Sequence, residues 1–274
     1  MHQKTEDFTL IYANEASVVI GKHQNVYEEC QIDFCQRNNI KIARRLSGGG
    51  TVYHGSGNIN FSFIKNLQVG EPLVDFKKHL QPVIQFLQHM GVVAEFSGRN
   101  DLLVNGFKVS GNAEHVFQKN KRLIHHGTLL FNANLDLLKG STRPKEAEFT
   151  SHSIKSIRSE VRNIADYLSS DTDEKNFTKA LHNYLAEYFK AKEYLLTMDE
   201  VRAVEHLRDE KYTSWDWIYG YTPAFGIMTT SGFSFRVKKG YIVEAELEGE
   251  SLTNFVGQRF SSNTFAKTNI GFEF

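Results

Sequence analysis

The sequence predicts an α+β protein, and three observations carry that expectation. Short β-branched and aromatic runs recur between residues 14 and 131, separated by glycine-rich loops; helical periodicity is confined to a few longer stretches; and Asn105-Gly106 sits between two apolar runs as a hairpin turn does. Residues 14–22 (NEASVVIGK) end in a β-branched run that reads as a buried strand, and residues 24–38 read as a polar, helical crossing. Residues 40–46, 51–53 and 59–64 read as strands of one meander, because SGGG and HGSGN between them hold too much glycine to continue either element. Both loops are expected to be exposed. Over residues 72–90, Phe76, Leu80, Val83, Ile84, Leu87 and Met90 fall near one helical face, and Pro82 is expected to kink or divide that helix.

The Asn105-Gly106 pair predicts a type I′ turn between strands at 102–104 and 107–109, and two further strands follow at 113–118 and 122–131. Phe177, Leu181, Tyr184, Leu185, Tyr188 and Phe189 recur at helical spacing over 173–190, with Asp at the start and Lys at the end as the helix dipole prefers. Beyond residue 194 come a charged helix (198–211), an aromatic segment (TSWDWIYGYTPAF) and a hairpin (233–237 with 241–247), which predict a small accessory domain over 195–274 after a main domain over 1–194.

Composition narrows the function. The chain of 274 residues balances 32 Lys and Arg against 32 Asp and Glu and is 41% hydrophobic, so it carries enough apolar surface to fold and is not a uniformly basic nucleic-acid binder. No run approaches the roughly 20 apolar residues of a membrane-spanning helix, and the polar start carries no signal-peptide core, so a cytoplasmic protein is expected. Cys30 and Cys35 are too few for a disulfide framework. The charge is unevenly spread: residues 41–128 hold 11 Lys and Arg against 5 Asp and Glu.

Three clusters stand in that basic region. Arg44-Arg45-Leu46-Ser47-Gly48-Gly49-Gly50-Thr51 places three glycines beside two fixed charges, either an anion cradle of backbone N–H groups or a strand-to-strand turn beside a solvated pair. No Walker A loop or GxGxxG run occurs. Asn100 and Asp101 precede a tight hairpin whose return strand carries Lys108, Ser110 and Gly111; the lysine is either aimed at an anion or simply solvated, and Asn100 and Asp101 either bind a metal or hydroxyls or cap the turn. In His125-His126-Gly127-Thr128 the adjacent histidines face opposite sides of a strand, so they cannot chelate one metal together.

The runs VVIGKHQNVYEEC, ARRLSGGGTVYHGSGN, GVVAEFSGRNDLLVNGFKVSGNA, RLIHHGTLLFNANLDLL, SIKSIRSEVRNI and SWDWIYGYTPAF, in this order, resemble the lipoate-protein ligase A family. The resemblance implies a catalytic domain of mixed β-sheets flanked by helices, of the class shared with biotin protein ligases, and a small C-terminal α+β accessory domain. It implies a ligase that uses ATP and Mg²⁺ to convert lipoate to lipoyl-AMP, then passes the lipoyl group to a lysine of lipoyl domains in 2-oxoacid dehydrogenases or the glycine-cleavage H protein. A monomer without nucleic-acid or membrane partners is expected.

By the same resemblance Lys108 is the catalytic residue, touching both carboxylate and α-phosphate. Arg45, Gly50, Thr51, Val52, Tyr53, Asn58, Asn100 and Asp101 are the ATP contacts, with Asp101 also the metal candidate. Ser47, Gly48, Gly49, His54, Ser110, Gly111, His126, Gly127 and Thr128 border lipoate together with Lys108. The chain departs from the family at Gly55, where an acidic residue usually follows the histidine, and ahead of Val18, where the family's first strand and its helix with an Asn-Leu-Ala-x-Glu-Glu run find no match. Two rival readings stay open: an octanoyl or lipoyl transferase of the same fold, which needs a reactive cysteine, and a non-catalytic relative that binds lipoate or lipoyl domains.

Overall fold

The computed structural model describes residues 5–68, 70–142, 148–157, 159–169, 172–229, 231–261 and 264. Strand β1 (Phe8–Tyr12) leads to β2 (Ser17–Ile20), helices α1 (Val26–Glu29) and α2 (Ile32–Arg37), β3 (Lys41–Arg44), β4 (Val52–His54) and β5 (Asn58–Asn66). Helix α3 (Phe76–His89) precedes β6 (Glu95–Phe96), β7 (Asp101–Val104), β8 (Phe107–Phe117) and β9 (Arg122–Leu130). Then come α4 (Leu135–Thr142), β10 (Glu148–Ser151), α5 (Glu174–Tyr188), α6 (Met198–Leu207), β11 (Phe225–Met228), β12 (Phe233–Lys238), β13 (Tyr241–Leu247) and β14 (Glu250–Ser251). Three sheets result, so the expected α+β class holds. An antiparallel six-stranded sheet runs β1-β5-β9-β8-β7-β6, a five-stranded one runs β10-β11-β12-β13-β14, and a small mixed one runs β3-β2-β4.

The meander expected over 40–64 does not form. Val18 and Ile20 of β2 are fully buried, and this strand takes the centre of the small sheet, parallel to β3 on one side and antiparallel to β4 on the other. A parallel pair needs a crossover, which α1 and α2 supply. β5 leaves for the six-stranded sheet. The crossing is also less polar in place than in sequence: Val26, Tyr27, Cys30, Ile32 and Cys35 are core, and Gln24 and Asn25 are fully buried. Of the two glycine loops expected to be exposed, the first keeps Gly48 exposed and Gly49 and Gly50 half-buried, while the second is buried at His54, Gly55, Gly57 and Asn58 with Ser56 exposed.

Helix α3 runs through Pro82 undivided, capped by Asp75, which accepts from the Lys78 N–H at 3.0 Å. It packs with α5 on one face of the six-stranded sheet, where Phe61, Phe63, Leu80, Phe86, Phe177 and Leu181 share a core. The predicted hairpin forms, with Asn105 at φ 50° and Gly106 at φ 82°. The two strands expected around 107–118 are one, β8. Residues ahead of Val18, where no family strand was matched, supply β1, which pairs antiparallel with β5 from Phe8↔Ile64 to Tyr12↔Asn60.

A second core joins the small sheet and its crossing to the C-terminal region: Val18, Ile20, Tyr27 and Cys35 pack with Phe225, Phe235, Ile242 and Phe260. The five-stranded sheet takes β10 from ahead of residue 195 and its other strands from beyond it. Among the described residues no helix is long and apolar enough to cross a membrane.

Candidate active site

The face of the six-stranded sheet opposite α3 and α5 is lined by alternate residues. Ile124, His126 and Thr128 of β9 border a cavity of about 370 Å³, while His125 and Leu129 point toward the helices. Twelve of the predicted residues border this cavity: Arg45, Ser47, Gly50, Thr51, Val52, His54, Asn100, Lys108, Gly111, His126, Gly127 and Thr128. A second cavity of about 690 Å³ adjoins it and takes in Tyr53, Glu28 and Glu29. Both cavities share Thr51, Val52, Lys108, Gly111, Thr128, Ser156 and Ile157, so Lys108 stands where they meet.

The backbone of Lys108 is held from two sides. It pairs with Leu103 across the hairpin, its N–H donates to Glu160 O at 2.8 Å, and its C=O accepts from Arg162 N–H at 3.0 Å. The β7–β8 register shifts between Leu102 and Leu103, where Val109 is the extra residue, and such a bulge re-aims the side chains beside it. The ammonium reaches Asp101 Oδ1 at 2.9 Å, an ion pair off the hydrogen-bonding direction, and lies over Gly111.

Arg44 and Arg45, read as one basic pair, do different work. Arg44 is buried and spends its guanidinium on the carbonyls of Gly21, Lys22, Gln24, Trp217 and Ile218 and on Thr222 Oγ1, while Trp217 Nε1 donates back to Arg44 O at 2.7 Å. It ties the small sheet to the aromatic segment. Arg45 folds the glycine loop around itself, donating to Val19 O (2.8 Å), Gly48 O (2.8 Å), Gly50 O (2.6 Å) and Ser47 Oγ (3.1 Å). Gly49 sits at φ 91° in that loop, a left-handed conformation a Cβ would strain. Burial brings Arg45 down to about 10, still a cation at neutral pH.

The two site histidines are held neutral. Burial, reinforced by the Arg45 charge, pushes His54 down to about 4 and His126 to about 3. His54 Nδ1 lies 2.8 Å from the Asn14 amide, which donates to it, and His126 Nε2 lies 2.7 Å from Ser47 Oγ. A Cβ at Gly127 would fall 1.9 Å from Asn112 Oδ1, so only glycine fits beside that amide. Asn112 in turn brackets Asn100, its Nδ2 donating to Asn100 O at 2.8 Å.

Five predicted residues border neither cavity. Gly48 and Gly49 form the outer turn of their loop, Ser110 is buried behind Asn112, Asn58 donates to Asn60 Oδ1 at 3.1 Å, and Asp101 faces Lys108. Sequence reasoning missed Tyr12, Asn14, Asn112, Ser156 and Ile157 on the cavity wall and Glu28 and Glu29 on its neighbour. Asn112, next to Ser110-Gly111, was the one with a local signal. At Gly55 the Tyr53 ring fills the space, since a Cβ would come 2.6 Å from its hydroxyl.

His125, the other half of the pair, belongs to a separate cluster. Its Nδ1 and that of His79 stand 2.8 and 2.7 Å from one oxygen of Glu114. The three groups lie within 4.8 Å of one another, yet this spacing is that of two hydrogen bonds to a shared carboxylate, tighter than donors around an ion at about 2.0–2.1 Å would stand. Burial alone would raise Glu114, but the two histidine hydrogen bonds outweigh it and bring the carboxyl down to about 2.

A sheet-walled cavity, a larger neighbouring cavity and a pinned lysine where they meet define a site for two small molecules that come together at a cation. The profile of the Lipoyl protein ligase A/B catalytic domain matches residues 1–186. Lipoate-protein ligase LplJ of Bacillus subtilis (strain 168) is 38% identical over 259 residues, covering 89% of this chain and 76% of the relative. Lipoate–protein ligase 1 of Staphylococcus aureus (strain Mu50) is 36% identical over 252 residues, with the same coverage. Among solved structures, the bi-partite lipoate protein ligase of Thermoplasma acidophilum superposes with a TM-score of 0.67 at 25% identity, over 79% of this chain and 85% of that one. The chain belongs to the lipoate-protein ligase A family.

Proposed function

We propose that the protein activates lipoate with ATP and ligates it to a lysine of an apo lipoyl domain. The observation that carries this reading is the place of Lys108, in the wall common to both cavities. In it, the smaller cavity takes the lipoyl chain: Val19, Leu46, Val52, Ala113, Phe117 and Ile124 supply apolar wall, each buried methylene contributes about 0.8 kcal/mol, and the volume lies in the usual range for small-molecule sites. The larger cavity takes ATP.

One lipoate carboxylate oxygen attacks the α-phosphorus and the bond to pyrophosphate breaks. Negative charge grows on the phosphoryl oxygens in that step, so an ammonium already pinned by β7 and Asp101 stabilises the transition state more than the ground state. Neutral His54 and His126 leave the carboxylate's charge to Lys108 and border the anhydride without titrating near neutral pH. In the second step the acceptor lysine's ε-amine attacks the carbonyl carbon and AMP departs, leaving an amide. Mg²⁺ would neutralise phosphate charge when bound. Glu28 and Glu29 on the larger cavity are oxygen donors already engaged, Glu28 by Ser151, Ser153 and Lys155 and Glu29 by Ser156 and Thr51, and Asp101 faces the Lys108 ammonium, so none of these three carboxylates stands open as its ligand.

The transferase alternative lacks a nucleophile. Cys30 and Cys35, the chain's two cysteines, are buried core residues; burial raises both thiols, Cys35 to about 12. Incubation with ATP, Mg²⁺, lipoate and an apo lipoyl domain should raise the domain's mass by one lipoyl group. An unmodified domain after incubation with folded protein would sink the reading. We propose the lipoyl domains of 2-oxoacid dehydrogenases and the glycine-cleavage H protein as acceptors, and a cytoplasmic monomer as the working form.

A further inference from the structure

One hydroxyl joins three separate segments beside Lys108. Ser156 Oγ accepts from the Thr51 backbone N–H at 2.9 Å and from Gln24 Nε2 at 3.0 Å, and donates to Glu29 Oε2. Its one proton and both lone pairs are thereby used. The other Glu29 oxygen accepts from the Ser156 N–H at 3.0 Å, and the Thr51 hydroxyl lies 3.1 Å from Glu29 Oε2 and 3.0 Å from Gln24 Oε1. Gln24 Oε1 also accepts from the Gly21 N–H at 2.8 Å. Glu29 as a residue is only 8% exposed, so replacing its hydrogen bonds by water carries a cost. Ser156 and Thr51 line both cavities with Lys108.

We infer that Glu29 is a positioning residue that acts through Ser156: it fixes the end of the glycine loop at Thr51 against the 151–157 segment, and so sets the distance between the loop and Lys108. The inference rests on the ligase reading above and adds to it a residue pair that touches no reacting atom. Its chemistry is directional. Glu29 only accepts; Glu29→Gln keeps one acceptor, so whichever way the amide turns an N–H₂ faces either the Ser156 hydroxyl, whose lone pairs are already used, or the Ser156 backbone N–H, and one of these two donors loses its acceptor. Ser156→Ala leaves the Thr51 N–H and the Gln24 amide without that acceptor. Either change frees the loop, and misplacement near 1 Å costs up to about 10²-fold in rate.

The test is lipoate-dependent pyrophosphate release by the wild type, Glu29→Gln, Ser156→Ala and the double variant, at a temperature where circular dichroism shows each folded. Each single variant should lose about tenfold or more in kcat with KM for lipoate within about threefold, and the double variant should fall no more than about threefold below the weaker single, because the two act in one network. A merely structural role would lower melting temperature and leave kcat of folded protein unchanged. Wild-type kcat in both singles, or losses that multiply in the double, overturns the inference. Should Glu29→Gln not fold, Ser156→Ala on the half-buried segment decides alone. A wild type that releases no lipoate-dependent pyrophosphate overturns the ligase reading and this inference together, an outcome distinct from intact variants of an active enzyme.

Discussion

Lys108 Nζ stands 2.9 Å from Asp101 Oδ1, the two facing each other across the hairpin that Asn105 and Gly106 close. Both side chains are about a fifth exposed, so the pair is partly screened and its main effect is on direction rather than stability. Asp101→Asn keeps the shape and removes the charge. Pyrophosphate release should fall about tenfold in kcat with a melting temperature near wild type. Unchanged kcat would remove Asp101 from any part in aiming Lys108.

Arg44 carries the join between the small sheet and the aromatic segment. Arg44→Met keeps much of the volume but leaves five carbonyl groups short of a buried donor, which should cost about 3–5 kcal/mol in urea unfolding. Arg44→Lys should also destabilise, since an ammonium has three donors at one centre and cannot span the same acceptors. An unchanged unfolding midpoint in both would contradict the assignment.

What the sequence made legible was local. The Asn105-Gly106 hairpin and the helix after Asp173 were readable because turn geometry and helical spacing are written in neighbouring residues. The glycine loop and the division of labour between His125 and His126 followed from spacing and strand alternation, whereas Lys108 stood out only through the resemblance to the ligase family. The meander failed because a strand's partners are set by its most buried neighbour, here β2, and not by chain order. Arg44 read as half of a basic pair, at an anion site or solvated, because its carbonyl partners lie 20 to 23 residues away at Gly21, Lys22 and Gln24 and 173 and 174 residues away at Trp217 and Ile218. Glu29 and Ser156 are 127 residues apart, and no short-range pattern announces such a network.

The site histidines predict a pH dependence of stability. His54 and His126 titrate at about 4 and about 3 in the folded protein against 6.5 ordinarily, so the unfolded chain takes up their protons first as pH falls. Their contribution is complete above about pH 6.5 and is lost progressively below it. Urea midpoints should fall from pH 7 to pH 4.5, and His126→Gln should flatten that slope. Equal slopes in wild type and variant would contradict the neutral assignment.

Glu114 adds a lower window. Held at about 2 against 4.5, it stabilises the fold above about pH 4.5 and loses that contribution as pH falls toward 2. Glu114→Gln should lose stability at neutral pH by about 2–4 kcal/mol, because one donor among His79, His125 and the Asp75 N–H is left unmatched, and should respond less to acid below pH 4.5. A variant as stable as the wild type at pH 7 would contradict the shared-carboxylate role.

In the proposed reaction Lys108 activates a carboxylate where the two cavities meet. The most direct measurement is pyrophosphate released from ATP with and without lipoate, by the wild type and by Lys108→Ala of matched circular dichroism. Release should depend on lipoate in the wild type and fall about 10²–10³-fold in Lys108→Ala. Equal release by the two proteins, or release that ignores lipoate, would contradict it.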